Sequence, residues 1–111
     1  MKPKPAVLAL AALAHDHRLA IYRLLVQAGP EGKAAGEIAE TLKLPPSSLS
    51  FHLAHLNRAG LIIQRRESRS LIYSADFEQM DALVGFLTEN CCGGRACAPA
   101  PKSAEPKRKR A

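Results

Sequence analysis

The chain has 111 residues, 47% of them hydrophobic and 23% charged, which gives room for one domain with a modest core that a partner subunit would help to complete. Its formal net charge is +6, but residues 98 to 111 hold five of the sixteen basic groups against one acid and leave only about +2 for the rest. Whole-chain basicity is therefore weak support for nucleic-acid binding, and arginines clustered beside a recognition element would carry more weight.

Lys2 and Lys4, followed by the apolar run from Ala6 to Ala14, imitate a secretory signal, although Pro3 and Pro5 interrupt its start and the run is very short. It is far too short to span a bilayer, so no membrane partner is expected. Pro5 can open a helix, because it lacks only an amide hydrogen that a first turn leaves unpaired, and AVLALAALA continues it with strong helix formers. Without a polar face this helix should be buried, with another subunit as its cover. His15 or Asp16 can cap a second helix running to about Ala28, where Ile21, Leu24, Leu25 and Ala28 form one apolar stripe, and Gly29-Pro30 ends it.

A short third helix is expected over roughly Glu37 to Leu42, with Gly36 as its cap and Ile38, Ala39 and Leu42 facing inward. Lys43-Leu44-Pro45 turns the chain into a fourth helix that Pro46 opens and that ends near Ala59, with Gly60 supplying the left-handed stop. Two helices joined so tightly make a helix-turn-helix candidate. Leu61-Ile62-Ile63 and Leu71-Ile72-Tyr73 then read as the strands of a β-hairpin around a polar connection from Gln64 to Ser70. Asp76 and Gln79 have capping-box spacing and open a last helix to about Glu89, with Phe77, Met80, Leu83, Val84 and Leu87 on one side. The fold class is thus mainly α with a small β-hairpin.

If Leu49, Leu53 and Leu56 are the buried stripe of the fourth helix, about 100° per residue places Ser47, Phe51, Ala54 and Arg58 opposite, flanked by Ser50 and His55. That small, polar and basic side, with Ser48 beside it, fits a DNA major groove: hydroxyls can bond phosphates or base edges, and Phe51 can meet a thymine methyl. For a lone helix an ordinary solvated face is the more economical account. Arg65, Arg66 and Arg69 on the ribbon that follows change the balance, because a groove-docked helix leaves them free to reach the flanking backbone or minor groove. His52 falls at the core border, and His15 and His17 belong to a helix start rather than a metal site.

The stretches AHDHRLAIYRLL, GEIAETLKLPPSSLSFHLAHLNRAGLI and RESRSLIYS, within His15 to Glu89, resemble the ArsR/SmtB family of winged-helix repressors over about two thirds of the chain. The resemblance implies a winged helix-turn-helix fold over residues 1–90, with the helix bearing Ser47 and Ser50 as recognition helix and the arginine hairpin as wing. It further implies that the first and last helices form a homodimer interface, so that a symmetric dimer sits on double-stranded, two-fold operator DNA in the cytoplasm. Pro46 and Phe51 depart from the family's usual polar or basic residues there, which leaves the operator sequence open.

The three cysteines, Cys91, Cys92 and Cys97, occupy one short stretch and make a poor disulfide framework; such a set suits reduced thiols or metal ligation in a reducing cytoplasm. Gly93-Gly94 frees the chain to fold back and deliver Cys97 to the adjacent pair. Three thiolates suit trivalent arsenic or antimony, which are soft and accept a pyramid of three ligands, whereas zinc wants a fourth. Cadmium or lead can also accept them, and oxidation of Cys91 or Cys92 with Cys97 is a rival switch that needs no metalloid. The context LTENCCGG is similar to an arsenic-responsive subset of the family and implies that residues 91–97 bind arsenite, antimonite or a trivalent methylarsenical through Cys91, Cys92 and Cys97. Sensor sites of other family types are disfavoured, since GEIAETL has no cysteine and the last helix no histidine. An enzyme such as an arsenate reductase is disfavoured too, because no cysteine opens a C-x5-R anion loop and no general base is evident. Residues 98–111, rich in Ala, Pro and Lys, are expected to be a disordered basic tail, whose Lys107 to Arg110 run could add sequence-independent DNA affinity.

Overall fold

A computed structural model describes residues 1–94. Five helices and a three-stranded antiparallel sheet follow one another as α1 (Pro3–Leu13), α2 (Asp16–Ala28), β1 (Lys33–Ala34), α3 (Ala35–Leu42), α4 (Pro46–Arg58), β2 (Ile62–Glu67), β3 (Ser70–Ala75) and α5 (Phe77–Leu87), with a single 3-10 turn over Cys91–Gly94. Cys97 and the tail from residue 98 lie outside the described residues. Among those described, no helix is long and apolar enough to cross a membrane.

α1 begins at Pro3, two residues before the expected start at Pro5, and is only partly buried. Ala6, Ala9 and Ala12, at i, i+3 and i+6, pack inward, while Val7, Leu8 and Leu10 are 62%, 59% and 41% exposed. Small side chains let α1 lie close on its neighbours, and the large ones point away from this chain's core. Arg18 Nε donates to the Ala12 carbonyl at 2.6 Å, closing the end of α1 onto the next helix. His15 caps α2: its Nδ1 accepts from the His17 amide at 3.1 Å. Ile21, Tyr22 and Leu25 are the buried residues of α2, and Leu24 lies half-buried beside them.

α3 starts at Ala35 rather than Glu37, because the Ala34 amide donates to the Glu37 carboxylate at 2.9 Å and brings Gly36 inside the helix. Lys43, at φ +56°, turns the chain in the left-handed region, and Pro45-Pro46 starts α4. At the far end Gly60 (φ +80°) makes the stop read from the sequence, with the Leu61 amide bonded to the Leu56 carbonyl at 3.1 Å. The core gathers Ile21, Leu25, Ile38, Leu49, Leu56, Leu61 and Ile62, one contribution or more from each of α2, α3, α4 and the start of the hairpin.

The sheet departs most from expectation. The polar stretch read as a connection is strand: β2 and β3 stay paired from Ile62↔Ala75 out to Glu67↔Ser70, leaving only Ser68 and Arg69 as the turn, with Ser68 at φ +57°. Backbone pairing does not require apolar side chains, so the hairpin extends past the core into solvent. A third strand, the two-residue β1, joins the other edge of β3 through Lys33↔Tyr73 and Ala34↔Ile72. α5 is capped as expected, by Asp76 Oδ1 accepting from the Gln79 amide at 3.2 Å. It ends at Leu87 rather than Glu89, and of its apolar side only Leu83 is fully buried, while Val84 and Leu87 are 54% and 56% exposed.

Candidate nucleic-acid interface and thiol segment

α4 is seated by Leu49, His52, Leu53 and Leu56, all buried, so its opposite side is fixed in the orientation expected. Ser47, Ser50, Phe51, Ala54 and Arg58 are exposed, and Ser48 and His55 are half-buried at the margins. Phe51 is 63% exposed yet held in place: its ring meets His52 edge-on at 5.6 Å and His55 edge-on at 6.4 Å. An exposed ring braced by two others loses little further freedom on meeting a partner.

His52 also touches the start of α2, with ring centroids 4.8 Å from His15 and 5.6 Å from His17. Its Nδ1 is buried without a hydrogen-bond partner. Burial holds the His52 pKa below the usual histidine value, and the neighbouring His15, Arg18, His17 and His55 push the same way. His55 is lowered as well, by desolvation first and then by Arg18, Arg58 and His15. The sequence placed His52 at the core border but gave no sign of this ring cluster, because its members come from separate helices.

The hairpin arginines divide. Residues alternate faces along a strand, so Arg65 shares one face of β2 with Ile63 and Glu67, and Arg66 lies on the other. Arg66 and Arg69 are exposed. Arg65, expected among the DNA-facing groups, directs its guanidinium back into the chain: Nε donates to Glu67 Oε2 at 2.8 Å, Nη2 to the Glu31 carbonyl at 2.7 Å and Nη1 to the Pro30 carbonyl at 3.4 Å. The contact with Glu67 is the one ion pair among the described residues.

At the other end, Asn90, Cys92, Gly93 and Gly94 all take left-handed backbone conformations, at φ +58°, +58°, +69° and +88°, which coil the chain tightly after α5. The amides of Gly93 and Gly94 both donate to the Asn90 carbonyl, at 2.9 and 3.3 Å. This coil sets Cys91 Sγ 3.6 Å from Cys92 Sγ, with both residues exposed. Metal–sulfur bonds of about 2.3 Å allow one soft ion to touch two sulfurs at that separation. The third expected ligand, Cys97, falls outside the described residues, among which no group of three or more His, Cys, Asp or Glu side chains is arranged to hold a metal ion.

A family model described as a helix-turn-helix domain matches residues 13–65. The chain is 33% identical over 87 residues to the transcriptional activator HlyU of Vibrio cholerae, covering 78% of each protein. It is 34% identical over 83 residues to the HTH-type transcriptional regulator YgaV of Escherichia coli, covering 75% of this chain and 82% of that one. The solved structure of Vibrio cholerae HlyU superposes with a TM-score of 0.65 at 32% identity, covering 83% of this chain and 99% of that one. A homodimeric winged helix-turn-helix DNA-binding domain of Mycobacterium bovis, described as a possible ArsR-family regulator, superposes with a TM-score of 0.62 at 26% identity over 86% of this chain and 88% of its own. Helix-turn-helix and paired wing together define a winged-helix transcriptional regulator, and the relatives named above are transcriptional regulators rather than enzymes. The chain belongs to the ArsR/SmtB family of such regulators.

Proposed function

We propose that the protein is a homodimeric repressor that binds a palindromic operator in the cytoplasm and lets go when trivalent arsenic, or antimony, is captured by Cys91, Cys92 and Cys97. The dimer reading rests on the large apolar side chains that α1 and α5 turn outward, Val7, Leu8 and Leu10 on one helix and Val84 and Leu87 on the other, and on the packing of these two helices against each other. Homodimeric assembly of the Mycobacterium bovis neighbour supports it. Each protomer then presents the α4 face of Ser47, Ser48, Ser50, Phe51, His55 and Arg58 to a major groove, with the pair of helices spaced by about one DNA turn, roughly 34–36 Å. Arg66 and Arg69 reach the flanking backbone.

The observation that carries the metalloid reading is the 3.6 Å approach of two exposed thiol sulfurs immediately beyond α5, the helix that also contributes to the dimer surface. Sulfur ligation there orders the coil against the end of α5 and alters its packing with α1. Linkage requires the free dimer to bind the metalloid more tightly than the DNA-bound dimer, by about 1–3 kcal/mol, or 5- to 150-fold. The test is titration of the operator complex with arsenite, antimonite and a trivalent methylarsenical, for the wild type and for Cys92→Ser and Cys97→Ser. Release of the wild type by arsenite and its loss in Cys92→Ser are expected. An operator complex indifferent to all three ligands ends the proposal, and release by peroxide alone replaces metalloid capture with thiol oxidation.

A further inference from the structure

β2 is an outer strand: in the order β1-β3-β2 only β3 pairs with it, and its residues from Ile63 to Glu67 are exposed. A two-stranded ribbon projecting past its core has little to set its angle, because a hairpin alone twists and bends readily. The Arg65 side chain supplies a restraint from outside the ribbon. It crosses from β2 to the loop ahead of β1, more than thirty residues earlier in the chain, and donates to the carbonyls of Pro30 and Glu31.

That loop is a firm anchor. Pro30 has a fixed φ. Gly32, at φ +72°, lies so close to β3 that a Cβ would collide with the Tyr73 carbonyl oxygen, and its amide bonds the Gly29 carbonyl at 3.1 Å. Glu67 approaches from the ribbon side and holds the guanidinium through Nε, fixing its plane so that the two Nη groups meet the two carbonyls. Arg65 therefore joins one edge of the sheet to the loop that leads into the other edge.

We infer that Arg65 is a positioning residue for DNA binding: it sets the angle of the wing at which Arg66 and Arg69 meet the duplex, and does not itself neutralise a phosphate. The inference rests on the DNA-binding reading given above. A rigid fork suits this duty, whereas a lysine keeps the charge but cannot span two carbonyls and a carboxylate at once.

The experiment measures affinity for a duplex recovered by in vitro selection with the wild-type protein, as a function of salt, together with hydroxyl-radical footprints and the melting temperature of the free protein. Each phosphate contact contributes about 0.9 to the slope of log affinity against log salt, so loss of one contact per protomer lowers the slope of a dimer by about 1.8. Arg65→Ala and Arg65→Lys are both expected to bind about five- to tenfold more weakly with an unchanged salt slope. Both should lose protection at the outer edges of the site and keep it at the centre, with free-protein melting close to wild type. Arg66→Ala and Arg69→Ala should instead lower the slope. If Arg65→Ala lowers the slope and Arg65→Lys restores the affinity, Arg65 is a phosphate contact and the inference is wrong; unchanged affinity and footprint in Arg65→Ala overturn it as well. Should Arg65→Ala not fold, Arg65→Lys and Glu67→Gln carry the same readouts. A selection that recovers no duplex removes the DNA-binding reading itself, a result distinct from an unmoved footprint.

Discussion

α4 and the thiol segment stand at opposite extremes of the same small molecule. α4 is set into the core by Leu49, Leu53 and Leu56 at 2%, 3% and 0% exposure, which fixes the direction its outer face points. From Leu87 to Gly94 every residue is exposed, and a tight coil of local hydrogen bonds takes the place of packing. The end proposed to read DNA rests on the core, and the end proposed to sense a ligand is shaped by local backbone hydrogen bonds outside it. Pre-ordering of a binding face lowers the entropic cost of recognition.

The largest test of this contrast is Leu56→Ala. A fully buried leucine removed from under α4 should cost about 2–5 kcal/mol in chemical denaturation and take operator binding with it. A loss below about 1 kcal/mol would mean that the helix is not seated as described.

A smaller effect is expected from pH. The unperturbed histidine value is 6.5, and the folded-state pKa values of His52 and His55 lie below it. Above that value both states hold these rings neutral and the contribution is flat. As pH falls through 6.5 and then through the lower folded values, the unfolded chain takes up protons first and stability declines. Denaturation midpoints measured between pH 8 and pH 5 should fall toward acid, and His52→Gln should flatten part of that fall; an equally steep fall in His52→Gln would remove the ring cluster as its source.

The smallest effect belongs to Cys91→Ser, which should move stability by no more than about 0.5 kcal/mol, because an exposed residue outside the core gives up no packing. A loss well above that would show that Cys91 bears on the stability of the fold and not only on ligand capture.

Much of this fold could be read from the sequence wherever the chain carries punctuation or a one-sided stripe. Pro46 and Gly60 bound α4, Asp76 opens α5, and the Ile21–Leu25 spacing faces the core, all as the residues suggest. β1 left no trace, since two residues, Lys33 and Ala34, are too few to show alternation. The polar half of β2 reads as loop in the sequence because its side chains never enter the core. Val84 and Leu87 share the periodicity of Leu83 and yet point outward, since spacing marks an apolar face without saying whose surface covers it. Of the site, the outward face of α4 follows from helix geometry, whereas the turn of Arg65 toward Pro30 and Glu31 depends on where a long side chain bends. The adjacency of two thiols is plain in the sequence, and the coil that brings their sulfurs together depends on left-handed residues that include Asn90 and Cys92 as well as glycines.

The bond from Arg18 to the Ala12 carbonyl fastens α1 to α2 at the elbow between them, a few residues from the His15 and His17 rings that rest on His52 of α4. The elbow is thus tied on both sides, so that it cannot open without breaking the Arg18 bond or parting the His15 and His17 rings from His52.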